Sequence, residues 1–274
     1  MQPTFYEIKK AAKNALSSRW PEAILVFASL LAVSLLNSVS QAILMHLFRV
    51  PALGSPFAPA ELPKLSVIAS IGITLFSALF SLVITLPFLL GVLKWFWSVT
   101  RGSNSHLYEI FHFFQNGRLY RKAVSFSVLI FLRVILISVI CFLPYVLAKI
   151  LTSPTFYILL NKDTPVFVSG LFNMVDIFQG LGIVSVAVLN MKHLFFPAVL
   201  FTNPELSSIA TIKKAKAISH LEPLKLISFV FSFVGWFLLC GLLIPLVFIG
   251  PYFMASLLIY GHEENREYER RQRN

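Results

Sequence analysis

Charge is scarce in this chain of 274 residues. Only 13% of them are Asp, Glu, Lys or Arg, where a soluble domain carries about 25%. Hydrophobic residues make up 57%, and the mean hydropathy is +0.78. A single water-soluble core of this length could not bury so much apolar surface, so an ordinary soluble domain is excluded and the bilayer is the solvent that fits. Acidic residues are scarcer still, 12 against 23 Lys and Arg, for a formal net charge of +11. The basic residues sit at the ends of apolar runs, where the positive-inside bias and anionic headgroups account for them. No basic patch interleaves with exposed aromatics, which sets nucleic acid aside. There are two cysteines, Cys141 and Cys240, both inside apolar runs. A disulfide framework or a cysteine metal site is therefore not expected. The histidines His46, His106, His112, His193, His220 and His262 make no metal-ligand spacing. No glycine-rich phosphate loop, nucleophile elbow or cofactor fingerprint occurs, so neither a metal nor a cofactor is implied. Glu263-Glu264 resembles a glutamate-type intramembrane protease motif, but it sits in the charged tail, with Tyr268 where that motif needs arginine.

Five uncharged or nearly uncharged runs fill the chain. Residues 23–48 and 65–93 carry no charge, 123–148 carry only Arg133, 164–191 carry only Asp176, and 226–262 carry none. A spanning helix needs about 20 residues, so each of the first four reads as one span. The last would be a helix of about 55 Å, against a hydrocarbon core of about 30 Å. Two short spans turning near Gly241–Pro245 fit better than one long helix kinked at Pro245 and Pro251. Six spans place 18 Lys and Arg on the side of both termini and 4 on the other, with Arg133 within a span. That bias puts both ends in the cytoplasm. Pro87 and Gly91 are expected to bend the second span.

Short matches recur at a fixed interval. Ile8, Ile110 and Ile212 stand 102 residues apart, within Tyr6-Glu7-Ile8-Lys9-Lys10-Ala11, Tyr108-Glu109-Ile110 and Ile212-Lys213-Lys214-Ala215. The expectation is a single all-α transmembrane domain, a six-helix bundle built as three units over about 1–98, 99–202 and 203–262, with a charged tail at 263–274. Each unit is an amphipathic interfacial helix followed by a transmembrane hairpin. Thr4 with Glu7 predicts a capping box at the first helix. Phe5, Ile8, Ala12 and Leu16 share one face, away from Lys9, Lys10 and Lys13. Asn203-Pro204 predicts the start of the third interfacial helix.

The candidate polar site is intramembrane. Arg133 and Asp176 each lie about ten residues into a span, and charges at that depth face a bundle interior or an aqueous cavity. A structural ion pair, a solute, ion or headgroup site, and independent snorkelling are all compatible with the pattern. Trp20, Trp95, Trp97 and Tyr120 read as interfacial anchors, with Lys192 and His193 marking the same boundary. Trp236 falls within a span, where it packs or finds an internal partner.

Glu7 to Leu16, Trp20 and Ala23-Ile24 at the start, and Arg101-Gly102 and Glu109-Ile110-Phe111 in the middle, resemble an uncharacterised family of bacterial integral membrane proteins. So do Leu226 to Phe229, Ser232 to Trp236, Gly250-Pro251-Tyr252 and Tyr260 near the end. The family is similar in layout to YciC-like proteins and to the membrane domain attached to some glycerophosphodiester phosphodiesterases. The resemblance implies a multi-pass protein of the bacterial inner membrane and supplies no catalytic residue. The expected function is a non-enzymatic accessory or envelope-homeostasis role. The alternative is a transporter or lipid-handling protein using Arg133 and Asp176. Membrane lipids are the expected partners, with a partner protein or a second copy of the chain also compatible.

Overall fold

A computed structural model describes residues 3–48, 50, 64–103, 105–151, 165–221, 223–239 and 244–273. Among them every regular element is helical. Five helical segments are long and apolar enough to cross a membrane: Trp20–Leu47, Ile68–Thr100, Gly117–Leu151, Val175–Thr202 and Pro245–Arg273. A sixth is added if Ser208–His220 and Pro223–Trp236, bent by 86°, are counted as one.

The first helix, α1 (Phe5–Leu16), begins as its sequence predicts. The Thr4 hydroxyl accepts the Glu7 N–H at 3.3 Å, and the Glu7 carboxylate accepts the Thr4 N–H at 2.6 Å. Ile8, Ala12 and Leu16 are buried along one stripe. After a short turn, α2 (Trp20–Leu47) opens with Pro21 in its first turn, where a missing N–H costs nothing. A first hairpin is completed by α3 (Lys64–Phe80), which passes through a π turn, Ser81–Thr85, into α4 (Leu86–Thr100). Pro87 explains that turn. It has no N–H to give the Val83 carbonyl four residues back, and the Tyr120 hydroxyl donates to that carbonyl instead, at 3.0 Å. Gly91 is not a bend. A Cβ there would stand 1.8 Å from the Ile110 carbonyl oxygen, so the glycine lets a neighbouring loop lie directly on α4. Gly102, at φ 69°, closes α4. Its N–H reaches the Val99 carbonyl and the Ser103 N–H reaches Ser98, a complete Schellman ending.

The second hairpin is α5 (Gly117–Leu151) and α6 (Pro165–Met191). Short helices follow: α7 (Phe196–Thr202), α8 (Ser208–Leu221), α9 (Pro223–Phe231) and α10 (Val234–Leu239). The long α11 (Ile244–Arg273) ends the chain. Two features differ from the interfacial-helix expectation. The middle segment is a single 3₁₀ turn, Leu107–Phe111. The third helix starts at Ser208, because Asn203 closes α7 and Ser207 provides the cap, its hydroxyl accepting the Ala210 N–H at 3.3 Å. The Pro204 carbonyl, which would have received an early helical N–H, takes the Lys122 ammonium instead. Of the predicted turn at 241–245, residues 241–243 lie outside the described residues; α11 has begun by Ile244.

These elements form two regions. In the hairpins, Leu35, Leu36, Val39 and Ile43 of α2, Leu136, Val139 and Ile140 of α5, and Ile177, Leu181 and Val184 of α6 are exposed. Where the chain carries most of its Lys and Arg, the beginnings and ends of those helices join α1, α4, α7, α8, α9 and α11 in a close-packed region. Its core includes Trp95, Phe96, Phe126, Phe195, Phe229, Phe233 and Leu258, all under 2% exposed. α1 lies antiparallel along α11. Phe5 meets Tyr260 with ring centres 5.9 Å apart, and Lys13 lines a groove with Ile249 and Tyr252 at the other end.

Candidate functional site

Helix register decides what becomes of Arg133 and Asp176. Along α5 and α6, Gly182 faces Cys141 and Phe142, whose ring would stand 3.0 Å from an added Cβ. Nearer the basic end, Phe126 meets Phe196 with ring centres 6.0 Å apart. Counting from these two points, Arg133 is level with Asn190, whereas Asp176 is level with Ala148. At 1.5 Å per residue the two charges lie about 22 Å apart along the hairpin. Asp176 is exposed on the surface of α6, and Arg133 is half-buried. The structure does not bring them together, because the two helices do not begin and end at the same level.

Arg133 is instead part of a different group. His193, in the turn after α6, is 7% exposed, and neither ring nitrogen has a hydrogen-bond partner. The charges that reach its ring are positive: Arg133 from α5, Lys216 from α8 and the adjacent Lys192. The Asn190 side-chain oxygen, one turn back, is also buried without a partner, while its amide donates to the Val186 carbonyl at 2.8 Å. A buried imidazole among cations from three elements can accept an anion, whereas the Asn190 oxygen, itself an acceptor, can take only an N–H or O–H. As donors, the imidazole N–H and the three cations suit phosphate or carboxylate oxygens.

The aromatic residues divide. Trp20 is half-buried and meets Phe248 with ring centres 6.2 Å apart. Trp95 and Trp97 are buried inside the packed region at 0% and 7% exposure, so neither faces headgroups. Trp95 lies edge-on to Phe96. Trp97 meets His262 and Phe201, with the Arg101 guanidinium 4.8 Å above its ring. The Arg101 guanidinium is also within 2.7 Å of the His262 imidazole. Trp236 is 54% exposed on α10.

Several cations that mark topology in the sequence also staple the packed region. Lys9 donates to the Ser232 carbonyl at the break between α9 and α10, at 3.0 Å, and lies 4.2 Å from the Phe233 ring centre. Arg19 donates to the Ser105 carbonyl and hydroxyl, at 3.2 and 2.7 Å. Lys122 reaches Pro204 as described. Each ammonium or guanidinium satisfies a carbonyl left over at a loop or helix end. For Arg19 and Lys122 the signal that could have found them is position, beside a helix start; Lys9, mid-way along α1, carries no such signal. Lys214 pairs with Glu269 at 2.8 Å. Among the described residues, no three His, Cys, Asp or Glu side chains converge as metal ligands.

No protein-family model, curated protein or solved structure matches the chain.

Proposed function

We propose that this chain is a non-enzymatic, multi-pass protein of the bacterial inner membrane, with both ends in the cytoplasm, that engages anionic phospholipid headgroups through Arg133, Lys192 and Lys216 around His193. The carrying observation is that buried ring, reached by three cations and holding unpartnered nitrogens. Position supports the same reading. The cluster lies where the exposed hairpin meets the packed region, which is headgroup depth if the exposed helices lie in lipid. The 18-to-4 distribution of Lys and Arg supports the orientation. Arg133 then reaches the cytoplasmic headgroups from within a span, as long basic side chains do. In this reading the lipid-handling role rests on Arg133 without Asp176.

The two exposed hairpins cross the membrane fully. The third, α9–α10 with α11, enters only part way, whereas six spans would require it to cross. The support is α1, which lies along α11 with Lys10 and Lys13 exposed, a position those ammonium groups do not hold in hydrocarbon. Both termini stay on the same side either way. The three recurring isoleucine segments then mark three hairpin units of unequal depth.

The test is native mass spectrometry of protein extracted in mild detergent. Wild type should retain an anionic phospholipid that Arg133→Gln loses and Asp176→Asn keeps. The same lipid population in all three proteins would overturn the assignment.

A further inference from the structure

A second site lies where α1, the start of α2, α10 and the start of α11 meet. A groove of about 300 Å³ is lined by Lys13, Trp20, Trp236, Phe248, Ile249 and Tyr252. That volume is at the lower end for small-molecule sites (about 300–1,000 Å³), enough for one flexible apolar chain. Its composition is polarised. Five of the six residues are aromatic or aliphatic, and Trp236 and Phe248 remain 54% and 50% exposed beside it. The sixth is a cation. Lys13 is exposed in the last turn of α1 and makes no ion pair among the described residues, whereas Lys9 of the same helix is engaged by the Ser232 carbonyl.

Depth decides what fills such a groove. An ammonium on an exposed surface stays at or above headgroup level, so Lys13 fixes the height of its own end. Two tryptophans and a tyrosine around the same groove are the side chains that favour that zone, with an apolar body and a polar tip. Phe248 and Ile249 continue the apolar wall beyond it. Water would leave these faces unsatisfied, and a wholly apolar ligand would leave the ammonium unused.

We propose that this groove seats one anionic glycerophospholipid, its phosphate on Lys13 and one acyl chain between Trp20, Trp236 and Phe248. The site is separate from the Arg133 cluster and does not depend on it. Bound there, the lipid fills the notch between α10 and α11, joining a hairpin otherwise held to α1 by Lys9 and Phe5.

The four tryptophans of the chain make the test direct, because Trp20 and Trp236 line the groove while Trp95 and Trp97 are buried. The full-length protein is reconstituted into vesicles containing a small fraction of lipid brominated on its acyl chains, carried on either phosphatidylglycerol or phosphatidylcholine. Tryptophan quenching should favour the brominated phosphatidylglycerol about fivefold in effective affinity, the enrichment that one lysine gives at a membrane surface. Lys13→Gln, an exposed change that leaves folding intact, should abolish that preference. Trp236→Phe should remove much of the quenched signal, and Arg133→Gln should leave the preference in place. Equal quenching by both headgroups in wild type, or an unchanged preference in Lys13→Gln, would overturn the proposal. Loss of the preference in Arg133→Gln would show that the signal reports the other site and would equally defeat it.

Discussion

Phe229 and Leu136 are both large apolar side chains on helices, and the molecule uses them in opposite ways. Phe229 is 0% exposed, its ring set against Phe5, Phe233 and Tyr260. Leu136 is 63% exposed, one of a column of such residues along α5. The apolar window of α11 is 50% buried by protein, against 11% for that of α5. Hydropathy alone treats these as equivalent. Burial separates a region held by its own packing from hairpins whose apolar surface the chain itself leaves uncovered. Polar links within the hairpins are correspondingly few. In the first, the Asn37 amide donates to the Ser81 hydroxyl at 3.1 Å and its carbonyl accepts from Ser77 at 3.3 Å.

Glycine substitutions sharpen the contrast most. Gly91→Ala places a methyl group inside the contact distance of the Ile110 carbonyl, where backbone cannot yield as a side-chain tip can. Thermal unfolding in detergent should show a loss above about 4 kcal/mol, or no folded protein. Gly180→Ala meets nothing within 4 Å and should gain up to about 1 kcal/mol from helix propensity. Phe229→Ala should cost about 3–4 kcal/mol, and Leu136→Ala no more than about 0.5 kcal/mol; equal losses in the two would erase the distinction between the regions. Thr4→Ala, which removes the capping box of α1, should cost about 1 kcal/mol in the same assay.

Acidification should act on the packed region through His112, after the 3₁₀ turn. Burial, then the nearby Lys94, hold its pKa below the ordinary 6.5, against a smaller opposing pull from Glu109. The unfolded chain therefore takes up this proton first. Stability is full above about pH 6.5 and falls as pH drops below it. Melting temperatures from about pH 7.5 to 5.5 should fall less in His112→Gln than in wild type. The smallest effect expected is the coupling of Arg133 and Asp176. A double-mutant cycle should give less than about 0.5 kcal/mol, as for separated sites, and a larger value would mean that the hairpin register brings them together.

Much of the helical layout is legible in the chain. Charge-free runs mark the long helices, and Thr4, Glu7, Ile8, Ala12 and Leu16 specify α1 with its cap and its buried stripe. What escapes is everything fixed by contacts between elements. An uncharged run looks the same in a protein core as in lipid, so Trp95 and Trp97 read as boundary anchors although they are buried. Counting inward from the ends of two runs places Arg133 and Asp176 at one depth only if the helices end together, and the register at Gly182 and Phe142 shows that they do not. Gly91 reads as a bend because its reason, the Ile110 carbonyl, lies 19 residues away in a short 3₁₀ turn whose placement on α4 nothing in the sequence signals. His193 reads as a boundary residue because its cations come from three elements.

The antiparallel seating of α1 on α11 has a consequence for biogenesis. α1 is made well before α11, so Phe5 must wait for Tyr260, 255 residues later. Until then Ile8 lacks the Tyr260 side of its core, while Ala12 and Leu16 share theirs with Val26 of α2 and Trp95 of α4. The packed region can therefore close only once α11 has been made. A ribosome stalled before α11 would leave Phe5 and Ile8 of α1 open to protease, and protection of α1 would report that α11 had been made.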